Sequence, residues 1–284
     1  MKIASVFTFL TLTLLLSCTP QQKVDNKTLY VSILPLRTLV SQIVGEDFNI
    51  EVLVPAGASP ETFEPTAKQF IGLNEAQLVF NVGLIDFENN LLSKVADTAK
   101  VVNLSHGIDL IAGSCSHCVD GKHHAHGIDP HVWTSPRELQ IMATNAYNAI
   151  QHTWPDSTQY GRNYEALMAR LQTLDTSIAE RITAAQIKYF IIYHPALTYY
   201  ARAYGLEQLA IENEGKEPSA KRLSQIINRA RRDGVHRIFY QKQFPASTVE
   251  IIARDIDANY VEIDPLHEDI IANIQNITDL IVTQ

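Results

Sequence analysis

The chain has 284 residues, a formal net charge of −8 and 46% hydrophobic residues, enough for one large domain or two smaller ones with a sizeable core. It carries no basic patch, which argues against nucleic acid as a partner, since that binding relies on clustered Lys and Arg.

At the N-terminus Lys2 precedes an apolar run from Ile3 to Leu16, closed by Ser17 and Cys18. The run is shorter than the roughly 20 residues a spanning helix needs. A charged start, a short apolar middle and small residues at the cut read as a signal peptide over residues 1–18. A cysteine at that point is similar to the lipobox of bacterial lipoproteins, although Leu16 is not the commonest residue at its lipobox position. Cys18 is therefore expected to be acylated. The lipid would anchor the chain outside the cytoplasm, in the periplasm or on the outer face of the cytoplasmic membrane. Residues 19–28 read as a polar tether.

From there short β-branched apolar runs alternate with helical patterns. Strands are expected at 29–34, 49–54, 78–83 and 100–105, each followed by a helix, the last only after a His-rich loop. The rhythm returns with strands at 188–193, 206–211, 235–241 and 259–264. This alternation implies parallel sheets with helices on their faces. Between the halves, Tyr164, Leu167, Leu171, Leu174, Ile178 and Ile182 recur every three or four residues and draw one apolar stripe down a helix. The expected fold class is α/β, with two lobes. Each lobe is a roughly four-stranded parallel sheet flanked by helices, and one long α-helix bridges the two. The boundaries are an N-terminal lobe at 29–155 with a His-rich loop at 113–128, a linking helix at 156–187 and a C-terminal lobe at 188–284.

Ligands of open α/β sheets bind beyond the carboxyl ends of the strands. Four metal-competent side chains fall there: Glu61 and His131 in the first lobe, His194 and Asp264 in the second. Each is next to a proline, namely Pro60, Pro130, Pro195 and Pro265, which stiffens the backbone that presents it. Taken alone, a histidine after a strand is more often structural and Asp-Pro is a common turn opener. Four such residues at matching places in two repeated lobes make a shared metal site the stronger reading.

The motifs SPETFEP, DPHVWTSP, HPALTYYARAYGL, EGKEPSAKRL and EIDPL carry a resemblance over nearly the whole mature chain. It resembles the zinc/manganese solute-binding proteins of ABC transporters, the cluster A-I metal-receptor family. The resemblance implies two α/β lobes bridged by a long helix and one metal at their interface. It also implies delivery of that metal to an ABC permease and its ATPase in the cytoplasmic membrane, with a monomeric receptor that is not an enzyme. The family's ligands fall on His131, His194 and Asp264; where the family usually has His, this chain has Glu61. Two nitrogens with two carboxylates suit Zn²⁺ and also Mn²⁺ or Fe²⁺. Glu64, Glu212 and Glu214 are expected to orient the histidines by accepting their other ring N–H, and His267 is a candidate for the rim. His106, His152 and His236 read as structural or exposed.

Six of the ten histidines lie between 106 and 131. His131 belongs to the fixed site. His117, His123, His124 and His126, with Cys115 and Cys118, form a secondary metal-gathering loop. In an oxidising compartment the two cysteines would pair as a tight disulfide or serve as thiolate ligands. Imidazole donors favour Zn²⁺ over Mn²⁺, and the family's zinc members carry His-rich loops here. The expectation is an extracytoplasmic zinc receptor, with Mn²⁺ or Fe²⁺ as the alternative cargo. A zinc-dependent hydrolase would keep an open water position beside three protein ligands. A surface adhesin or sensor on the same fold is the remaining rival. The chain lacks the P-loop signature, so it is not the motor of a transporter.

Overall fold

The computed structural model describes residues 27–112, 127–212, 219–244, 246–255 and 257–283. The expected signal peptide and Cys18 lie outside them. So do Cys115, His117, Cys118, His123, His124, His126 and Glu214.

The first lobe runs β1 (Thr28–Val31), α1 (Leu34–Val44), β2 (Asn49–Val52), α2 (Ala67–Glu75), β3 (Leu78–Asn81), α3 (Asp86–Leu92), β4 (Val101–Asn103) and α4 (Pro136–Thr153). Then comes the longest helix, α5 (Thr158–Ala185). The second lobe runs β5 (Tyr189–Ile192), α6 (Thr198–Ala203), β6 (Glu207–Ala210), α7 (Ala220–Asp233), β7 (Arg237–Gln241), α8 (Ala246–Asp255), β8 (Asn259–Ile263) and α9 (Ile270–Val282).

Each lobe holds a four-stranded parallel sheet, ordered β2-β1-β3-β4 in the first and β6-β5-β7-β8 in the second. The inner strands β3 (LVFN) and β5 (YFII) are buried along their whole length, as strands covered by helices on both faces must be. In both orders the chain reverses direction beside its first strand, between β1 and β3 and again between β5 and β7. Crevices at such reversals are where open α/β sheets take ligands.

Of the stripe expected on α5, Leu167, Leu171, Leu174, Ile178 and Ile182 are buried and Tyr164 is half-buried; Tyr160 joins the buried set. Gln186 ends the helix in the left-handed region at φ 55. The helix packs against α1 and α4 of the first lobe and α9 of the second. One hydrophobic core therefore runs from the first sheet through α5 to Phe190, Tyr199, Tyr200 and the inner face of α9. A second, smaller core around Ile191, Ile226, Ile238 and Val249 covers the other face of the second sheet.

Candidate metal centre

Glu61 comes from the loop between β2 and α2. Past β2 the chain stays paired with β1, through Leu53 N–H to Val31 and Val54 N–H to Ser32. At the far end Thr66 and Gln69 form a capping box that starts α2, and the Gln69 amide donates back to the Leu53 carbonyl at 2.7 Å. Phe63 meets Phe87 edge-on at 5.1 Å. A loop tied at both ends and anchored by an aromatic ring thus carries Glu61, whose side chain is 56% exposed.

His131 follows a stem rather than a strand. Beyond β4, Ala112 pairs antiparallel with Ile128, and Asp129 N–H donates to the Ile111 carbonyl at 3.0 Å. The sequence reading put Ile128 inside the loop; this pairing makes it part of the stem. The hydroxyl of Tyr199, wholly buried in the second lobe, accepts from Ile111 N–H at 3.1 Å and donates to the Asp129 carbonyl at 2.8 Å. The Asp129 carboxylate accepts from His131 N–H at 2.9 Å and meets the His131 Nδ1 at 2.8 Å. A short 3-10 turn at Val132–Thr134 then leads to Pro136 at the start of α4, where its missing N–H costs nothing. Trp133 Nε1 donates across to the Pro265 carbonyl at 2.9 Å, linking the lobes at the site.

His194 caps β5. The side-chain amide of Gln241, at the end of β7, accepts from His194 N–H at 3.3 Å and donates to its carbonyl at 2.6 Å. The imidazole stacks on Phe244 with centroids 5.0 Å apart. Its Nδ1 lies 3.1 Å from the buried Glu212 carboxylate, and its Nε2 lies 3.3 Å from Glu61 Oε1 in the other lobe. The rings of His131 and His194 face each other edge-on at 5.3 Å.

Asp264 follows β8. Its Oδ1 accepts from Leu266 N–H at 3.1 Å, and its carbonyl accepts from the Asn273 amide at 2.8 Å. Pro265 and Leu266 line a cleft of about 50 Å³ with Glu61, His131, His194 and Gln241. Glu61, His131 and His194 thus come together, whereas Asp264 is not among the residues that line the cleft and has one oxygen engaged in a turn. Among the described residues, no group of three or more His, Cys, Asp or Glu side chains is placed to hold a metal ion as it stands. Glu64 and His267 are exposed and do not line the cleft. His106, His152 and His236 are exposed as well.

The electrostatics follow from burial and charge together. Burial alone would lower the His194 pKa, but the Glu212 hydrogen bond and the charges of Glu61, Glu212 and Asp129 outweigh it, and the pKa is raised. Burial alone would raise the Asp129 carboxyl, but the His131 charge and the hydrogen bonds from His131 and Thr198 outweigh it, and the group is held low. Glu88, wholly buried, accepts from Val82, Gly83 and Ile85 N–H and so shapes the β3 exit that brings Ile85 to the cleft wall.

Three contributors escaped the sequence reading. Asp129 was legible as an acid two residues before His131. Gln241 stands at a strand end, but an amide there carries no metal-ligand signal. Phe244 has no local signal, because its role depends on β5 and β7 being neighbours.

The family model for ZnuA, described as zinc-uptake complex component A periplasmic, matches residues 29–283. The chain belongs to the ZnuA family. The high-affinity zinc uptake system protein ZnuA of Bacillus subtilis (strain 168) is 30% identical to this ZnuA-family chain over 251 residues, covering 83% of the chain and 77% of that protein. The zinc-binding lipoprotein AdcA of Streptococcus pneumoniae (R6) is 26% identical over 279 residues, covering 93% of the chain but 55% of AdcA. The chain therefore spans about half the length of that relative. A crystal structure of a ZnuA 138–173 deletion mutant with zinc bound superposes with a TM-score of 0.81 at 31% identity, covering 91% of this chain and 97% of the other. The manganese complex of FpvC from Pseudomonas aeruginosa has the same fold, with a TM-score of 0.75 at 23% identity, covering 91% and 98%. The ZnuA family and these relatives are named for metal uptake and binding, not for an enzymatic activity. No helix among the described residues is long and apolar enough to cross a membrane.

Proposed function

We propose that this chain is an extracytoplasmic receptor that captures Zn²⁺ between its lobes and delivers it to an ABC permease driven by an ATPase. Glu61, His131, His194 and Asp264 are the proposed ligands, and Cys18 the proposed lipid anchor.

The observation that carries the reading is the 3.3 Å approach of His194 Nε2 to Glu61 Oε1 across the two lobes. A tetrahedral ion with arms of about 2.0 Å holds neighbouring donors about 3.3 Å apart. The His194 Nδ1 already faces a carboxylate, so the ring's proton belongs there when it is neutral. Its Nε2 then meets a second carboxylate: in the metal-free protein a proton on Nε2 satisfies that contact, and a cation that takes the proton's place between the two is held by the same pair of donors. The cleft, about 50 Å³, has room for an ion.

The fourth ligand completes the site when the Asp264 carboxylate gives up its turn contact with Leu266 and swings to the ion. Two imidazoles favour zinc, and the two carboxylates keep Mn²⁺ as the rival cargo. Titration of chelator-stripped protein with each ion is the test. Zinc is expected to bind at sub-micromolar concentration and to displace Mn²⁺; tight Mn²⁺ binding with weak Zn²⁺ binding would reverse the assignment.

A further inference from the structure

We propose that Asp129 and Glu212 are the positioning residues of the metal centre, one per lobe, each taking the Nδ1–H of one histidine so that both Nε2 lone pairs point into the shared cleft. The inference rests on the receptor reading above and concerns how that site is prepared before metal arrives.

The two lobes solve the same problem with unrelated sequence. In the first, the acid lies two residues before its histidine, at 2.8 Å from Nδ1. In the second, it lies eighteen residues after, at 3.1 Å, brought in by the end of β6 next to β5. Both carboxylates are buried, Asp129 at 8% and Glu212 at 5% exposure. An ionised carboxylate only accepts hydrogen bonds, so each imidazole must donate from Nδ1. The remaining nitrogen of a neutral ring is then the lone-pair nitrogen, the form a metal requires.

The backbone that presents each acid is tied in place. Asp129 is fixed through its own carbonyl by the Tyr199 hydroxyl and through its N–H by Ile111. Glu212 is fixed by its N–H, which donates to the Tyr193 carbonyl at 2.9 Å. The rings they hold are braced from the other side, His131 by Trp133 at 5.2 Å and His194 by Phe244 at 5.0 Å. A donor set held in this way needs little reordering on metal entry.

The test combines a direct measurement with substitutions. Long-range ¹⁵N NMR on the metal-free wild-type protein, at alkaline pH, reports which ring nitrogen carries the proton. The Nδ1–H form is expected for both His131 and His194; the Nε2–H form at either would overturn the proposal without any mutant. Asp129→Ala and Glu212→Ala are each expected to weaken zinc binding by about 10- to 100-fold in chelator competition. Glu212→Gln, which keeps an acceptor oxygen, should recover part of that loss, whereas a merely structural role would lower the melting temperature and leave affinity unchanged. His131→Ala and His194→Ala separate the two claims. If they bind zinc like wild type, the receptor site itself is wrong. If they lose binding while Asp129→Ala and Glu212→Ala do not, the positioning role alone falls.

Discussion

His194 is the residue on which both lobes bear: Glu61 approaches from one lobe, while Glu212, Gln241 and Phe244 hold it from its own. Its raised pKa has two consequences of definite sign. A group whose folded pKa is raised adds stability that is fully present below the ordinary imidazole value and is lost as pH rises through the raised one. The melting temperature of the metal-free protein should therefore fall over that window. Metal binding has the opposite trend, because zinc needs the deprotonated ring. Apparent zinc affinity should decline as pH drops, and the decline should begin above the ordinary imidazole range. Chelator competition over a pH series checks this; an onset at or below the range of free imidazole would contradict it. Glu61→Gln removes one of the charges that raise the pKa and should move the onset lower.

Strand ends are the elements that build the site, and they differ in how visible they are. Buried inner strands such as YFII at 189–192 stand out as apolar β-branched and aromatic runs; the more exposed β2 (NIEV) and β6 (EQLA) are legible from the strand–helix alternation around them, and all eight expected strands lie close to the observed bounds. The four proposed ligands follow from those ends together with the neighbouring prolines. What lies across a sheet is not written locally. Gln241 reaches His194 because β7 pairs with β5, although 47 residues separate the two in the chain. The state of Asp264 was equally out of reach, because a carboxylate turned onto Leu266 N–H and one turned to a metal have the same sequence. Gln241 itself is 2% exposed and satisfies both backbone groups of His194. Gln241→Ala would leave those groups without their partner, at a cost of about 1–3 kcal/mol. Chemical denaturation should register that loss. A midpoint equal to wild type would mean that other groups replace the amide.

At the scale of the whole molecule, α5 decides how the lobes relate. Its buried stripe belongs to the same core as both the first sheet and α9, so the lobes are not two beads on a tether. Trp133 to Pro265 and the Arg37–Glu268 ion pair add direct links between them. Metal capture should accordingly proceed by side-chain and loop adjustments with little rotation of the lobes. The shared core also predicts cooperativity. Leu171, wholly buried in the middle of α5, is a point where a cavity weakens both halves. Leu171→Ala should cost about 2–5 kcal/mol and keep a single unfolding transition seen by both fluorescence and circular dichroism. Two separated transitions would show that the lobes unfold independently.

The stem at Ala112 and Ile128 leaves the sequence between its two sides free to vary. With that doorway latched by the Tyr199 hydroxyl, residues on the far side can be lengthened, shortened or rewritten while the imidazole at 131 keeps its address. The proposed metal-gathering segment can thus change without retuning the proposed grip.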